Sequence, residues 1–269
     1  MIAAELLVLR KRPATWILLG IWTALGVFFA YVIPYALDDA PGGVRPLLPG
    51  ALAGTLAEGF PFFGGVFALM LGVFAVGSDD VWDTWKTRFT QGPGRLSVFG
   101  AKLAALAIVL VPYVLCLFAV GAVASIVIAQ AEGASAAFPS AWLLLRAMAA
   151  GWLVLAAWAA LGVLLGLVTR GTSLAIGVGI LYALVVEGLV SALAGSVDVL
   201  EPVGEVLLRA NGYSIAATLG ASVADIGSNG PGSFEGPFAG TAQAVGLLIA
   251  WIAVFLALAA VLLRRRDVA

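Results

Sequence analysis

The sequence predicts an all-α membrane protein with six transmembrane helices, and three observations carry that reading. Of 269 residues, 62% are hydrophobic and only 11% charged, against about a quarter charged in a soluble domain. Six runs are nearly free of charge over the roughly 20 residues that a helix needs to cross a hydrocarbon core about 30 Å thick. The alternation of apolar and polar residues over about 10 positions that marks a strand of a membrane barrel is missing.

In chain order the expected spans are 16–37, 59–77, about 103–129, about 142–168, 173–195 and 242–263. The first reads as a retained span and not a cleaved signal peptide, because no small-residue cleavage site follows a short apolar core. The third and fourth exceed the membrane thickness and are expected to tilt or protrude. Gly162 and Gly166, in GVLLG, permit close backbone approach to a neighbouring helix. Cys116 is the single cysteine, so no disulfide forms within the chain.

Lys and Arg concentrate on the cytoplasmic side of short loops. Assigned to alternate sides of the six spans, 11 of them (Arg10, Lys11, Arg12, Lys86, Arg88, Arg95, Lys102, Arg170, Arg264, Arg265 and Arg266) fall on one side; Arg45, Arg146 and Arg209 fall on the other. Both termini are therefore expected in the cytoplasm. Two long outer connections result, about 38–58 and 196–241. In the second, Val199, Val203, Val206, Leu207 and Ala210 share one helical face while Glu205 and Arg209 are spaced i,i+4. A short amphipathic helix on or in the outer leaflet fits that pattern, as does a plain outer loop.

Several chemistries are excluded. The chain has no histidine, which removes imidazole metal sites, bis-histidine haem and histidine acid–base catalysis. None of its three lysines, Lys11, Lys86 and Lys102, sits in a GxxxxGK[ST] phosphate loop. The chain is not expected to be an enzyme or to hold a cofactor or metal. Within the six runs only Glu187 and Arg146 are ionisable, few for a proton-driven carrier. Glu187 lies about 14 residues into the fifth span, roughly 21 Å from its cytoplasmic start. It faces a substrate path or pairs with Arg146, or it is a protonated or lipid-interface carboxylate hydrogen-bonded to a neighbouring helix.

Residues 78–95, SDDVWDTWKTRFTQGPGR, interrupt the apolar chain on the cytoplasmic side. Ser78 is suited to cap a helix, Asp79 and Asp80 to complement its dipole, and Gly92-Pro93-Gly94 to end it. Val81, Trp82, Trp85 and Phe89 then share one face, with Asp79, Asp83 and Lys86 toward another. Two readings fit: an interfacial helix with tryptophans at headgroup level, or a knob whose aromatic face enters a partner protein.

WDTWKTRFTQGPGRLSVFGAKLAAL, at 82–106, resembles the segment after the second span in permease subunits of ABC type-2 transporters. In that family an acidic residue, a Gly-Thr pair, a TQGP-x-R run and a lysine opening the next helix recur. Asp80 and Asp83 are candidates for the acidic residue, and Asp83-Thr84 stands where Gly-Thr is usual. ELLVLRKRPATWILLG (5–20) is similar to the family's connecting helix, and LLRRRDVA (262–269) to its usual ending.

The resemblance implies one transmembrane domain over 1–269. It has a connecting helix at 1–13, a coupling helix within 78–95 and a re-entrant segment in the outer connection. It implies a permease that exports a hydrophobic or amphipathic compound, such as a drug or lipid, across the cell membrane of a prokaryote. The implied partners are two copies of an ATP-binding cassette ATPase, which would hold ATP and Mg, and a second permease chain. Membrane lipid is the other expected neighbour, and no nucleic acid is expected. Asp80, Val81, Trp82, Asp83, Trp85, Lys86, Arg88 and Phe89 would form the ATPase contact. The alternative is a membrane scaffold or regulatory subunit that recruits a cytoplasmic protein.

Overall fold

Six helices in the computed structural model are long and apolar enough to cross a membrane: Pro13–Ala36, Phe60–Gly77, Arg95–Ala131, Ala141–Thr169, Thr172–Ser191 and Thr241–Arg265. The structure describes residues 1–37, 43–81, 94–194, 199–221 and 239–265, with the side chains of 78–81, 192, 194 and 201 excepted. All the regular elements among the described residues are helical.

Helix α1 (Ile2–Lys11) carries Glu5 in its first turn and Arg10 and Lys11 in its last, the arrangement its dipole favours. Arg12 is extended, and Pro13 then opens α2 (Pro13–Val27), where its missing N–H costs nothing. The first span continues through a π-helical turn, Phe28–Val32, into α3 (Ile33–Ala36). Pro34 explains the wide turn, since proline within a regular helix loses one hydrogen bond and clashes with the carbonyl four residues back.

Two 3-10 turns (Arg45–Leu47 and Pro49–Ala51) and α4 (Leu52–Ala57) lead to a second π-turn, Phe60–Gly64, which contains Pro61. Helix α5 (Gly65–Val81) follows. It runs unbroken past Ser78, so the helix of the second span continues there and Ser78 does not begin a new one. From Ser78 to Val81 there is neither proline nor glycine to interrupt the hydrogen-bond ladder.

Helix α6 (Arg95–Ala131) has 37 residues, about 55 Å at 1.5 Å per residue. Its first eight residues precede the predicted apolar run and carry Arg95 and Lys102 beyond the end of the span. Helix α7 (Ala141–Thr169) is capped by Ser140, whose side chain accepts from the Leu143 N–H, and ends at Arg170 in the left-handed conformation. The fifth span comprises α8 (Thr172–Leu181), a third π-turn (Tyr182–Val186) and α9 (Glu187–Ala194). Two short helices, α10 (Glu201–Glu205) and α11 (Leu208–Thr218), precede α12 (Thr241–Arg265).

The second and fourth spans form the centre of the bundle, and the first, fifth and sixth lie around them with apolar residues such as Ile17, Leu174 and Leu258 exposed. Helices α5 and α7 pack most extensively, and glycines make that possible. A Cβ on Gly72 would strike the carbonyl of Ala159, and one on Gly162 that of Leu69. Gly162 and Gly166 are therefore packing positions, as small residues at membrane helix crossings are.

The start of α1, the start of α6 and the end of α12 meet at one end of the bundle. There the Arg95 guanidinium donates to the Arg264 carbonyl at 3.4 Å, and the Ser97 hydroxyl lies 3.6 Å from the Met1 sulfur.

Candidate functional site

Two polar assemblies occur at opposite ends of the bundle. At the end that gathers Met1 and Arg264, the buried Lys102 ammonium lies 3.1 Å from the Glu5 carboxylate and donates to the Ala75 carbonyl at 3.2 Å. Arg12 donates to the carbonyl of Phe74 at 2.5 Å. Glu5 and Arg12 belong to the amino-terminal segment, Phe74 and Ala75 to the end of the second span, and Lys102 to the start of the third. Charge-assisted bonds are stronger than neutral ones, so α1 is fastened to both helices that flank residues 82–93.

That joint frames the predicted partner-binding stretch. Asp80 and Val81 end α5, where the backbone alone is described. Trp82, Asp83, Trp85, Lys86, Arg88 and Phe89 lie outside the described residues. Sequence reasoning did not assign roles to Glu5 or Arg12. The available signal was a carboxylate and a cation in an apolar amino-terminal helix whose partners lie about 60 to 100 residues on.

The second assembly is built on α11. Its residues Leu208–Ala216 are all buried, enclosed by α7, α12, α4 and the Phe60–Gly64 turn. Eleven residues span about 16 Å, too short to cross a membrane. A buried helix end is costly unless its first N–H groups and last C=O groups find partners. At the start, Glu187 accepts from the Leu208 N–H at 3.0 Å and the Arg209 N–H at 2.9 Å. At the other end Gly220 has φ +91° and Ala221 N–H returns to the Ala216 carbonyl, a glycine-terminated helix end.

The π-turn leads into Glu187, whose N–H bonds five residues back to the Tyr182 carbonyl. Arg209 is also buried. Its Nη2 donates to the main-chain carbonyl of Glu187 at 3.4 Å, and its guanidinium carbon is 5.7 Å from the Phe62 ring centre. Further bonds tie this segment to the sixth span and the residues before it: Trp251 donates to the carbonyl of Val206, just before α11, at 2.7 Å, and the N–H of Ala239, just before α12, donates to the Ser214 hydroxyl at 3.0 Å.

This geometry revises two expectations. Glu187 does not pair with Arg146, which is exposed on α7; its partners are the Leu208 and Arg209 amides. The outer stretch is not one amphipathic helix lying on a surface. Leu207 is extended, with φ −66° and ψ 150°, and this break separates an exposed piece bearing Val199 and Val203 from a buried piece bearing Arg209. The i,i+4 spacing of Glu205 and Arg209 has no meaning across it. Instead the Glu205 carbonyl accepts from the Asn211 side chain at 2.8 Å.

Residues 46–268 match the model of a family described as ABC-2 family transporter protein. No curated protein matches the chain.

Proposed function

Since that match covers most of its length, the chain belongs to the ABC-2 family of transporter proteins, and from this we propose that it is the permease half of an ATP-driven exporter. At the coarser level it is a multi-pass membrane component of an ABC transporter, not itself catalytic. The finer reading is that a separate ATPase, in two copies with ATP and Mg bound, drives a pair of permease chains in a prokaryotic cell membrane. The cargo is a hydrophobic or amphipathic compound.

The observation that carries the reading is the family match over residues 46–268, laid on six apolar helices. The joint among Glu5, Arg12, Phe74, Ala75 and Lys102 supports a direction for the force. Residues 82–93 are the segment between two helices that this joint fastens to α1, so a push on them reaches the first three spans together. In this reading Val81, Trp82, Trp85 and Phe89 seat in the ATPase, and Asp80, Asp83, Lys86 and Arg88 flank that contact. The end that gathers Met1 and Arg264 faces the cytoplasm, and α11 is a re-entrant helix at the outer end.

The test is reconstitution of the chain with its ATPase in vesicles. Trp85→Asp and Phe89→Asp are each expected to abolish cargo-stimulated ATP hydrolysis while the permease still inserts in the membrane. Normal co-purification and normal stimulation in both variants would overturn the assignment. A scaffold would bind a cytoplasmic partner with no cargo-stimulated hydrolysis at all.

A further inference from the structure

We propose that Arg209 is a binding site for the singly charged oxygen-anion head group of an amphiphile, a carboxylate or phosphodiester carried on an apolar tail. This deepens the exporter reading and rests on it. Arg209 is 1% exposed, and its Nε and Nη1 atoms have no acceptor. Its Nη2 reaches only a main-chain carbonyl, at 3.4 Å. The nearest carboxylate, Glu187, is committed to the Leu208 and Arg209 amides. Ser191, one turn beyond Glu187 and on the same face, is buried with its hydroxyl also without a partner.

A buried guanidinium with unmade hydrogen bonds is destabilising, the more so because its charge is desolvated as well. The surroundings define the group that fits. Guanidinium and hydroxyl donors call for acceptor oxygens. The Phe62 ring beside the guanidinium and the apolar spans call for a hydrocarbon tail. The charge is bounded from the other side: an acidic side chain, Glu187, already lies at the Leu208 and Arg209 amides, and a dianion beside it is disfavoured. A monoanion is what remains.

The guanidinium is sealed from solvent in this conformation, so the head group reaches it when α11 shifts from α9. Helix α11 is bounded by the extended Leu207 and the left-handed Gly220, the two points where the chain changes direction. The contacts to Glu187 that are relinquished are the two amide bonds to its carboxylate and the Arg209 Nη2 bond to its main-chain carbonyl.

The experiment is native mass spectrometry of the full chain purified in detergent, titrated separately with phosphatidylglycerol, palmitate and phosphatidylcholine. Wild type is expected to retain phosphatidylglycerol or palmitate over phosphatidylcholine. Retention of both establishes the shared chemistry, and retention of one identifies a membrane lipid or a free fatty acid as the source. Arg209→Gln is expected to weaken the retained monoanion about tenfold, the loss of one or two charge-assisted bonds. Arg209→Lys, which keeps the charge but not the planar fork, falls between.

Equal retention of phosphatidylcholine by wild type overturns the proposal. So does unchanged monoanion binding in Arg209→Gln with a wild-type elution profile and melting point. If Arg209→Gln does not fold, wild-type selectivity and Arg209→Lys decide. Intact ATPase coupling together with lost selectivity overturns this proposal and leaves the exporter reading standing.

Discussion

Glu187 brings a carboxyl group into the bundle, where the first N–H groups of α11 are buried and bond to it. Its two oxygens meet the Leu208 and Arg209 amides, which makes the carboxylate a cap supplied from another helix. A glutamine offers one acceptor and turns an amide donor toward the other N–H. Glu187→Gln is therefore expected to lower stability by about 1 to 3 kcal/mol, the penalty for a buried donor left unmade. Thermal unfolding in detergent measures it. A melting point unchanged from wild type would show that α11 does not depend on this cap. The sequence singled out Glu187 from its rarity in a span, but Arg146 was its nearest cation by topology, and only the fold brought Leu208 and Arg209 to it.

Between elements, the buried Glu5–Lys102 pair joins α1 to α6, and Lys102 also holds the end of α5 through the Ala75 carbonyl. Removing one member of a buried pair leaves an uncompensated charge, at a cost of about 3 to 5 kcal/mol, whereas replacing both by apolar side chains is often neutral. Lys102→Met alone is expected to destabilise the chain, and Glu5→Met to cost less in the Lys102→Met chain than in wild type. A double-mutant cycle on thermal stability checks this, and additive losses would mean that the two side chains do not act together. The Leu207 break illustrates the opposite limit of pattern reading. Helical spacing assumes an unbroken helix, and an ordinary leucine gives no sign that it will adopt an extended backbone.

For the whole molecule, the structure brings the start of α1, the start of α6 and the end of α12 to one end, and this is the set that the Lys and Arg count assigns to the cytoplasm. A fluorescent protein fused after Ala269 is expected to fluoresce in cells, and alkaline phosphatase inserted after Gly133, between the third and fourth spans, to be active. The reverse pattern would invert the orientation and with it the exit path.

The sequence by itself determined the six apolar helices, and with them an all-α membrane bundle, because a span in hydrocarbon must satisfy its backbone internally and must be apolar along its length. Both requirements are local and can be read one segment at a time. Only the tertiary structure decided that α5 and α7 form the centre, that α1 is bolted to the flanks of residues 82–93, and that Arg209 points inward beside Glu187. Those outcomes depend on which apolar surfaces meet and on polar groups 21 to 97 residues apart in the chain finding one another. In a chain that is apolar almost everywhere, hydrophobic pattern does not distinguish a surface facing lipid from one facing another helix.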